Sequence, residues 1–166
     1  MGNINSEERT DSGSIRQFCT FVISDRLFGV DILDVKEINP ETDFTPIYHS
    51  PKEIVGYVNI RGQIHLVIDL RLLLGYESRL INEKSRVVLF KTEVGPHFGV
   101  MVDQIGDVVE IDENLIEDQR QYHKKSKDDS ELKIGDSRLI TGVCKLNSNL
   151  LVILDARKFL KAINNI

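Results

Sequence analysis

Three carboxylates, Asp31, Asp34 and Glu37, fall within seven residues. A cluster of this kind is what a hard cation or a general acid–base pair requires. The four histidines, His49, His65, His97 and His123, and the two cysteines, Cys19 and Cys144, are the other groups able to ligate or to attack. They are widely spread, and none has a carboxylate or a thiol at a ligand spacing that stands out. The chain also lacks the glycine-rich phosphate loops, the H-E-x-x-H helix and the G-x-S-x-G elbow. The sequence therefore offers no catalytic residue, no metal site and no cofactor. The carboxylates read as solvated surface, and the cysteines, each in an apolar run, read as buried reduced thiols. A hydrolase assembled from distant residues is the weaker alternative that spacing leaves open.

Composition narrows the partners. The net charge of −5 argues against a protein that grips phosphate backbones over a basic face. A small barrel binding single-stranded nucleic acid would need exposed aromatics on a basic sheet. Here there is no Trp, and Phe18, Phe21, Phe28, Phe90 and Phe98 sit in runs that read as core. No apolar run approaches the ~18 residues of a membrane span. The first 15 residues are polar and are expected to be a disordered tail.

The residues that position any site are repeated. Gly56-Tyr57-Val58-Asn59-Ile60-Arg61-Gly62 through Val67-Ile68-Asp69-Leu70-Arg71 has a gapless second copy 86 residues later, Gly142 through Ala156-Arg157. The apolar alternation, the Gly, the Asp and the Arg coincide. The polar turn differs, because Lys145, Asn147 and Ser148 stand where the first copy has Asn59, Arg61 and Gly62. Phe28-Gly29-Val30 and Phe98-Gly99-Val100 mark a second shared motif. Two units thus share one plan, and only the first carries a distinctive polar surface.

Residues 18–23, 27–32 and 35–38 read as strands from their β-branched and aromatic content. Asn39 to Pro51 holds three of the four prolines and reads as a loop, with Ser50-Pro51 able to start a helical turn. Val58 and Ile60 alternate with polar neighbours and predict the inward face of a hairpin strand, which places Arg61 outward beside the turn glycine Gly62. Ile64, Leu66 and Ile68 share one face and are expected in the core. Strands at 86–92, 97–102 and 107–111, a hairpin over 142–154 and a helix near 155–163 capped by Asp155 repeat the order. The second unit is longer, and Gln119 to Asp129 reads as a mixed-charge surface loop. Short strands at regular spacing, with no long helices between them, predict an all-β chain of two packed five-stranded barrels. The expected division is a tail over 1–15, one barrel over about 16–80, a second over about 85–154, and the C-terminal helix.

The G-x-x-N-x-R-G run at 56–62, the Val-Ile-Asp-Leu run at 67–70, Phe28-Gly29-Val30 with Val35-Lys36-Glu37-Ile38, and Phe98 to Asp103 resemble the CheW family of chemotaxis coupling proteins. The resemblance covers about residues 16–163. One departure is Leu66, where the family usually has Pro; Leu keeps a backbone donor, so a more regular strand is expected. The resemblance implies two intertwined SH3-like barrels. It also implies a non-catalytic cytoplasmic adaptor, recruited to membrane-associated arrays and joining the tips of methyl-accepting chemoreceptors to a CheA-type histidine kinase through that kinase's CheW-homologous domain. No nucleic acid and no membrane insertion are expected.

The same resemblance places Val35, Glu37, Asn59 and Arg61 near a receptor-binding groove between the barrels. Val102, Ile105 and Val108 flank the equivalent point of the second unit and are candidates for the other wall, although core packing is the plainer role for at least one of them. Taken as residues alone, Glu37 and Arg61 form an exposed ion pair worth about 0–1 kcal/mol. Gly56, Gly62 and Gly142 are assigned to turns.

Overall fold

A computed structural model describes residues 13–118 and 137–164. Among the described residues ten strands carry the fold: β1 (Ile15–Ile23), β2 (Arg26–Asp31), β3 (Val35–Asn39), β4 (Ile54–Ile60), β5 (Gln63–Asp69), β6 (Arg86–Phe90), β7 (Phe98–Val102), β8 (Gln104–Asp112), β9 (Ile140–Lys145) and β10 (Leu150–Leu154). A four-residue helix α1 (Leu70–Leu73) follows β5, and α2 (Phe159–Asn164) closes the chain. The expected tail and the Gln119–Asp129 loop lie outside the described residues, except for the tail's last three residues. The expected helical turn at Ser50-Pro51 is a plain turn: Ser50 Oγ donates to the Ile47 carbonyl, and Ile54 N to the Pro51 carbonyl.

The all-β expectation stands, but the strands are shared out differently from the 16–80 and 85–154 division. One sheet runs β3-β6-β7-β5-β4 and the other β8-β1-β2-β10-β9. The central barrel is therefore built from the contiguous strands β3–β7. The terminal barrel is assembled from both ends of the chain. Each strand of one sheet has its repeat equivalent at the same place in the other, including the parallel neighbours β2–β10 and β5–β7. Alternation along a strand assigns its faces; it does not say which strand lies beside it, so the exchange was invisible in the pattern.

Both sheets close the same way. Thr45, in the loop after β3, exchanges two 2.8 Å backbone bonds with Tyr57 of β4, and Glu117, after β8, does the same with Val143 of β9. This closure explains the repeated glycines. A Cβ on Gly56, which also has φ +148°, would sit 2.2 Å from the Thr45 carbonyl oxygen; one on Gly142 would sit 2.9 Å from that of Glu117. Gly56 and Gly142 are thus strand residues at a seam, not turn residues. Only Gly62 lies in a turn.

Val58, Ile60, Val67, Val87, Leu89 and Met101 fill the central barrel, and Phe18, Ile111, Cys144, Leu151 and Ile153 fill the terminal one. The largest cluster lies between the barrels and takes alternate residues of the same strands, among them Phe21, Phe28, Val30, Ile68, Val88, Phe90, Phe98 and Val100, together with Phe159 of α2. Strands buried on both faces read as continuous apolar runs, which is why 86–90 and 98–102 show no alternation. Phe21–Phe28 and Phe90–Phe98 are repeat-equivalent ring pairs, and Phe159 of α2 packs on Phe90 at 5.8 Å.

Candidate functional site

The hairpin β4–β5 turns on two residues, Arg61 (φ +52°) and Gly62 (φ +82°). Positive φ at both positions is the turn whose twist suits a two-residue hairpin. Gly accepts it freely; Arg61 does so at a cost that the turn must offset. Asn59 supplies part of the offset, since its Oδ1 accepts from Gly62 N at 2.9 Å. The N-x-R-G run is therefore one device, in which Asn59 and Gly62 hold the turn and Arg61 is displayed on it.

Arg61 Nη2 donates to both carboxylate oxygens of Glu37, each at 2.6 Å. The Arg side chain is 67% exposed and that of Glu37 26%. Glu37 reaches it from β3, where a register shift between Val35 and Glu37 sets Lys36 out of the ladder. The hydrogen bond from Arg61 holds the Glu37 carboxyl below its ordinary value, more strongly than partial burial raises it. Directly beneath lies a group that the spacing of the histidines gave no reason to join. His65 is buried, its ring edge-on to His97 at 5.8 Å, and His97 Nε2 is 3.3 Å from Gln63 Nε2. Burial lowers the His65 pKa, aided by the charges of Lys36, His97 and Arg61 and opposed by Glu37. Alternation offered a signal for His65, which shares the inward face with Val67.

Val35 is partly buried against the inter-barrel core and pairs with Phe90; Ile105, its repeat equivalent, pairs with Phe21 and is likewise partly buried. Val108 is 55% exposed on β8. Val102 is 1% exposed, and this corrects its assignment to a binding wall, because β7 is buried on both faces. Ile64 is another correction. It is exposed, with Leu66 half-buried and only Ile68 fully in the core, because the outer face of the hairpin leaves the barrel contact toward its tip. Leu66 uses the donor that Pro would lack: its N–H bonds to the His97 carbonyl at 2.9 Å.

The carboxylates at 31, 34 and 37 form no three-carboxylate site: Asp31 and Asp34 border one cleft and Glu37 stands apart from it. Asp31 pairs with Arg16 (3.0 Å), Asp34 with Arg157 (2.8 Å) and Glu37 with Arg61. Among the described residues no group of three or more His, Cys, Asp or Glu side chains is arranged to hold a metal. Both cysteines are buried and their thiols are pushed up by burial, which suits inert core residues. No helix among the described residues is long and apolar enough to cross a membrane. The five phenylalanines named above are all buried, so none offers a face on which a base could stack.

The CheW-like domain model matches residues 17–164. The chain belongs to the CheW-like family. It is 25% identical over 156 residues to the chemotaxis protein CheW of Helicobacter pylori, covering 93% of this chain and 87% of that one. It is 26% identical over 160 residues to the chemotaxis protein CheW of Thermotoga maritima, covering 93% and 95%. The crystal structure of the scaffolding protein TtCheW from Thermoanaerobacter tengcongensis superposes with a TM-score of 0.74 at 28% identity, over 88% of this chain and 92% of that one. Against this CheW-like frame, Asn59, Arg61 and Gly62 mark the turn at which the two copies of the repeat part company.

Proposed function

We propose that this chain is a non-catalytic chemotaxis adaptor that holds a CheA-type histidine kinase at the cytoplasmic tips of methyl-accepting chemoreceptors. Binding two partners on one scaffold raises the local concentration of one at the other and lets the state of one bias the other through shared contacts. Family membership over nearly the whole chain supports the role. The Arg61–Glu37 pair carries the assignment of a receptor-facing surface. A guanidinium on a rigid, two-residue turn, with its orientation fixed by a carboxylate from another strand, presents remaining donors to an incoming partner at little entropic cost.

In this reading Val35 and Ile105 supply apolar contact from the two barrels, Val108 extends it on β8, and Glu37 and Arg61 set register. Asn59 acts through the turn. The chain works in the cytoplasm and reaches the membrane only through the array. Kinase contacts fall on barrel ends or exposed strand edges, where unsatisfied backbone and apolar side chains suit a protein partner.

The test is co-sedimentation with receptor-bearing membranes, with and without the kinase. The wild-type chain pellets with the membranes, and pelleting of the kinase depends on it. Failure to sediment under both conditions sinks the adaptor reading; turnover of a small substrate, or a salt-dependent shift with single-stranded DNA, would point to a different class.

A further inference from the structure

The repeat carries an arginine, Arg71 in the first copy and Arg157 in the second, that the receptor-facing surface does not use. Each follows an aspartate that caps the turn after its strand: Asp69 accepts from Arg71 N and Leu72 N, and Asp155 from Arg157 N. Each guanidinium reaches an aspartate where the chain crosses between barrels. Arg71 pairs with Asp103 at 2.6 Å, between β7 and β8, and Arg157 pairs with Asp34 at 2.8 Å, between β2 and β3.

The surroundings then diverge. In the first copy, helix α1 stops at Gly75, whose φ of +90° turns the chain back, with Gly75 N bonded to the Leu72 carbonyl and Tyr76 N to that of Arg71. The returning segment covers Arg71. The Tyr76 ring lies 6.0 Å from the guanidinium carbon, the Glu77 carbonyl accepts from Arg71 Nε at 3.0 Å, and Arg79 lies 3.4 Å from Asp103. Arg71 is left 11% exposed. In the second copy Lys161 stands where Gly75 would be, and the chain continues as α2 instead of turning back. Among the described residues no equivalent segment returns, and Arg157 is 52% exposed. It borders a cleft of about 290 Å³ lined by Arg16, Asp31, Asp34, Thr141, Asp155 and Arg157. Three carboxylates face two guanidiniums there, an excess that favours a cation.

We propose that this cleft docks an extended segment of a partner protein with the chemistry of Tyr76–Arg79: an aromatic residue, a free backbone carbonyl, and an arginine three positions after the aromatic. The aromatic packs over the Arg157 guanidinium, the carbonyl takes a donor from it, and the incoming arginine meets Asp34. The chain itself shows that this chemistry satisfies the equivalent place in the other barrel.

The probe is a capped synthetic peptide with the sequence of residues 74–80, titrated into the full-length isotopically labelled chain and followed by amide chemical shifts. Weak, saturable shifts are expected at Asp34, Thr141, Leu154, Asp155 and Arg157. Replacing both the tyrosine and the arginine of the peptide by alanine abolishes them. In the protein, Asp34→Asn keeps the volume and weakens binding about tenfold, the loss of one charge-assisted bond. Absence of shifts to the solubility limit, equal binding of the alanine peptide, or shifts centred on Arg71 instead of Arg157 would each overturn the proposal.

Discussion

Arg61 reaches both carboxylate oxygens of Glu37 at 2.6 Å, tying the tip of one hairpin to the strand that precedes it in the chain but stands at the opposite edge of the sheet order. Both groups keep water on one side, so the bond orients more than it stabilises. Arg61→Glu is expected to abolish co-sedimentation with receptor membranes while lowering unfolding stability by no more than about 1 kcal/mol. Calorimetry beside the pull-down checks both. Retained recruitment would remove Arg61 from the receptor surface.

Asn59 is expected to act through the turn. Asn59→Ala frees the Gly62 N–H and costs about 0.5–1.5 kcal/mol. Urea unfolding measures that loss, and receptor affinity should fall with it. If affinity drops while stability is unchanged, Asn59 touches the partner directly.

The two seam glycines should differ in cost. A Cβ at Gly56 meets the Thr45 carbonyl at 2.2 Å, with the backbone in the left-handed half, whereas at Gly142 the nearest approach is 2.8 Å to a methyl of Ile116. Gly142→Ala should cost about 1–3 kcal/mol, and Gly56→Ala more than that or a failure to fold. Equal midpoints in denaturant would contradict the seam account.

The latch arginines should separate as well. Arg71→Ala leaves Asp103, 12% exposed, with Ser24 N and the more distant Arg79. The expected loss is about 2–3 kcal/mol, below that of a fully buried pair. Arg157→Ala, at an exposed pair, should shift the midpoint far less. Denaturant midpoints of the two variants decide it.

Stability should fall on mild acidification because of His65. Burial keeps its folded pKa below the ordinary value, so the unfolded chain takes up a proton that the fold resists. The contribution is whole above about pH 6.5 and declines as pH drops through that value toward the lower folded one. Glu37 has the opposite charge type but the same sign of slope. Held low by Arg61, it contributes above about pH 4.3 and loses that contribution only in stronger acid. The site pair therefore outlasts the histidine step. His65→Leu should flatten the change in urea midpoint between about pH 7.5 and 5.5; an unchanged slope would assign it to another group.

Much of the site was legible because it is local. Val58 and Ile60 inward, Arg61 outward and Gly62 in the turn follow from alternation and one glycine. The pairing of Arg61 with Glu37 needed the fold, since 24 residues separate them. Val102 was misplaced because a strand buried on both faces has no outward position for the pattern to reveal. The turn bond from Gly62 N to Asn59 was not readable either, because an Asn that bonds its own turn and one that meets a partner look alike in sequence. The glycine spacing was visible, but its cause, a carbonyl crossing from the far edge of the sheet, was not.

The nesting of one barrel inside the other sets an order on synthesis. The hairpin of β1 and β2 leaves the ribosome first and has no sheet to join. By residue 102 every strand of the central barrel exists, while the hairpin still waits across about seventy residues for β8 and nearly one hundred and twenty for β10. The entropy of closing that stretch is recovered only at the end, when the last strand made settles alongside β2. A truncated product ending before β10 would leave the β2 edge at Leu27, Phe28 and Gly29 without its ladder partner, an open strand of the kind that invites misassociation.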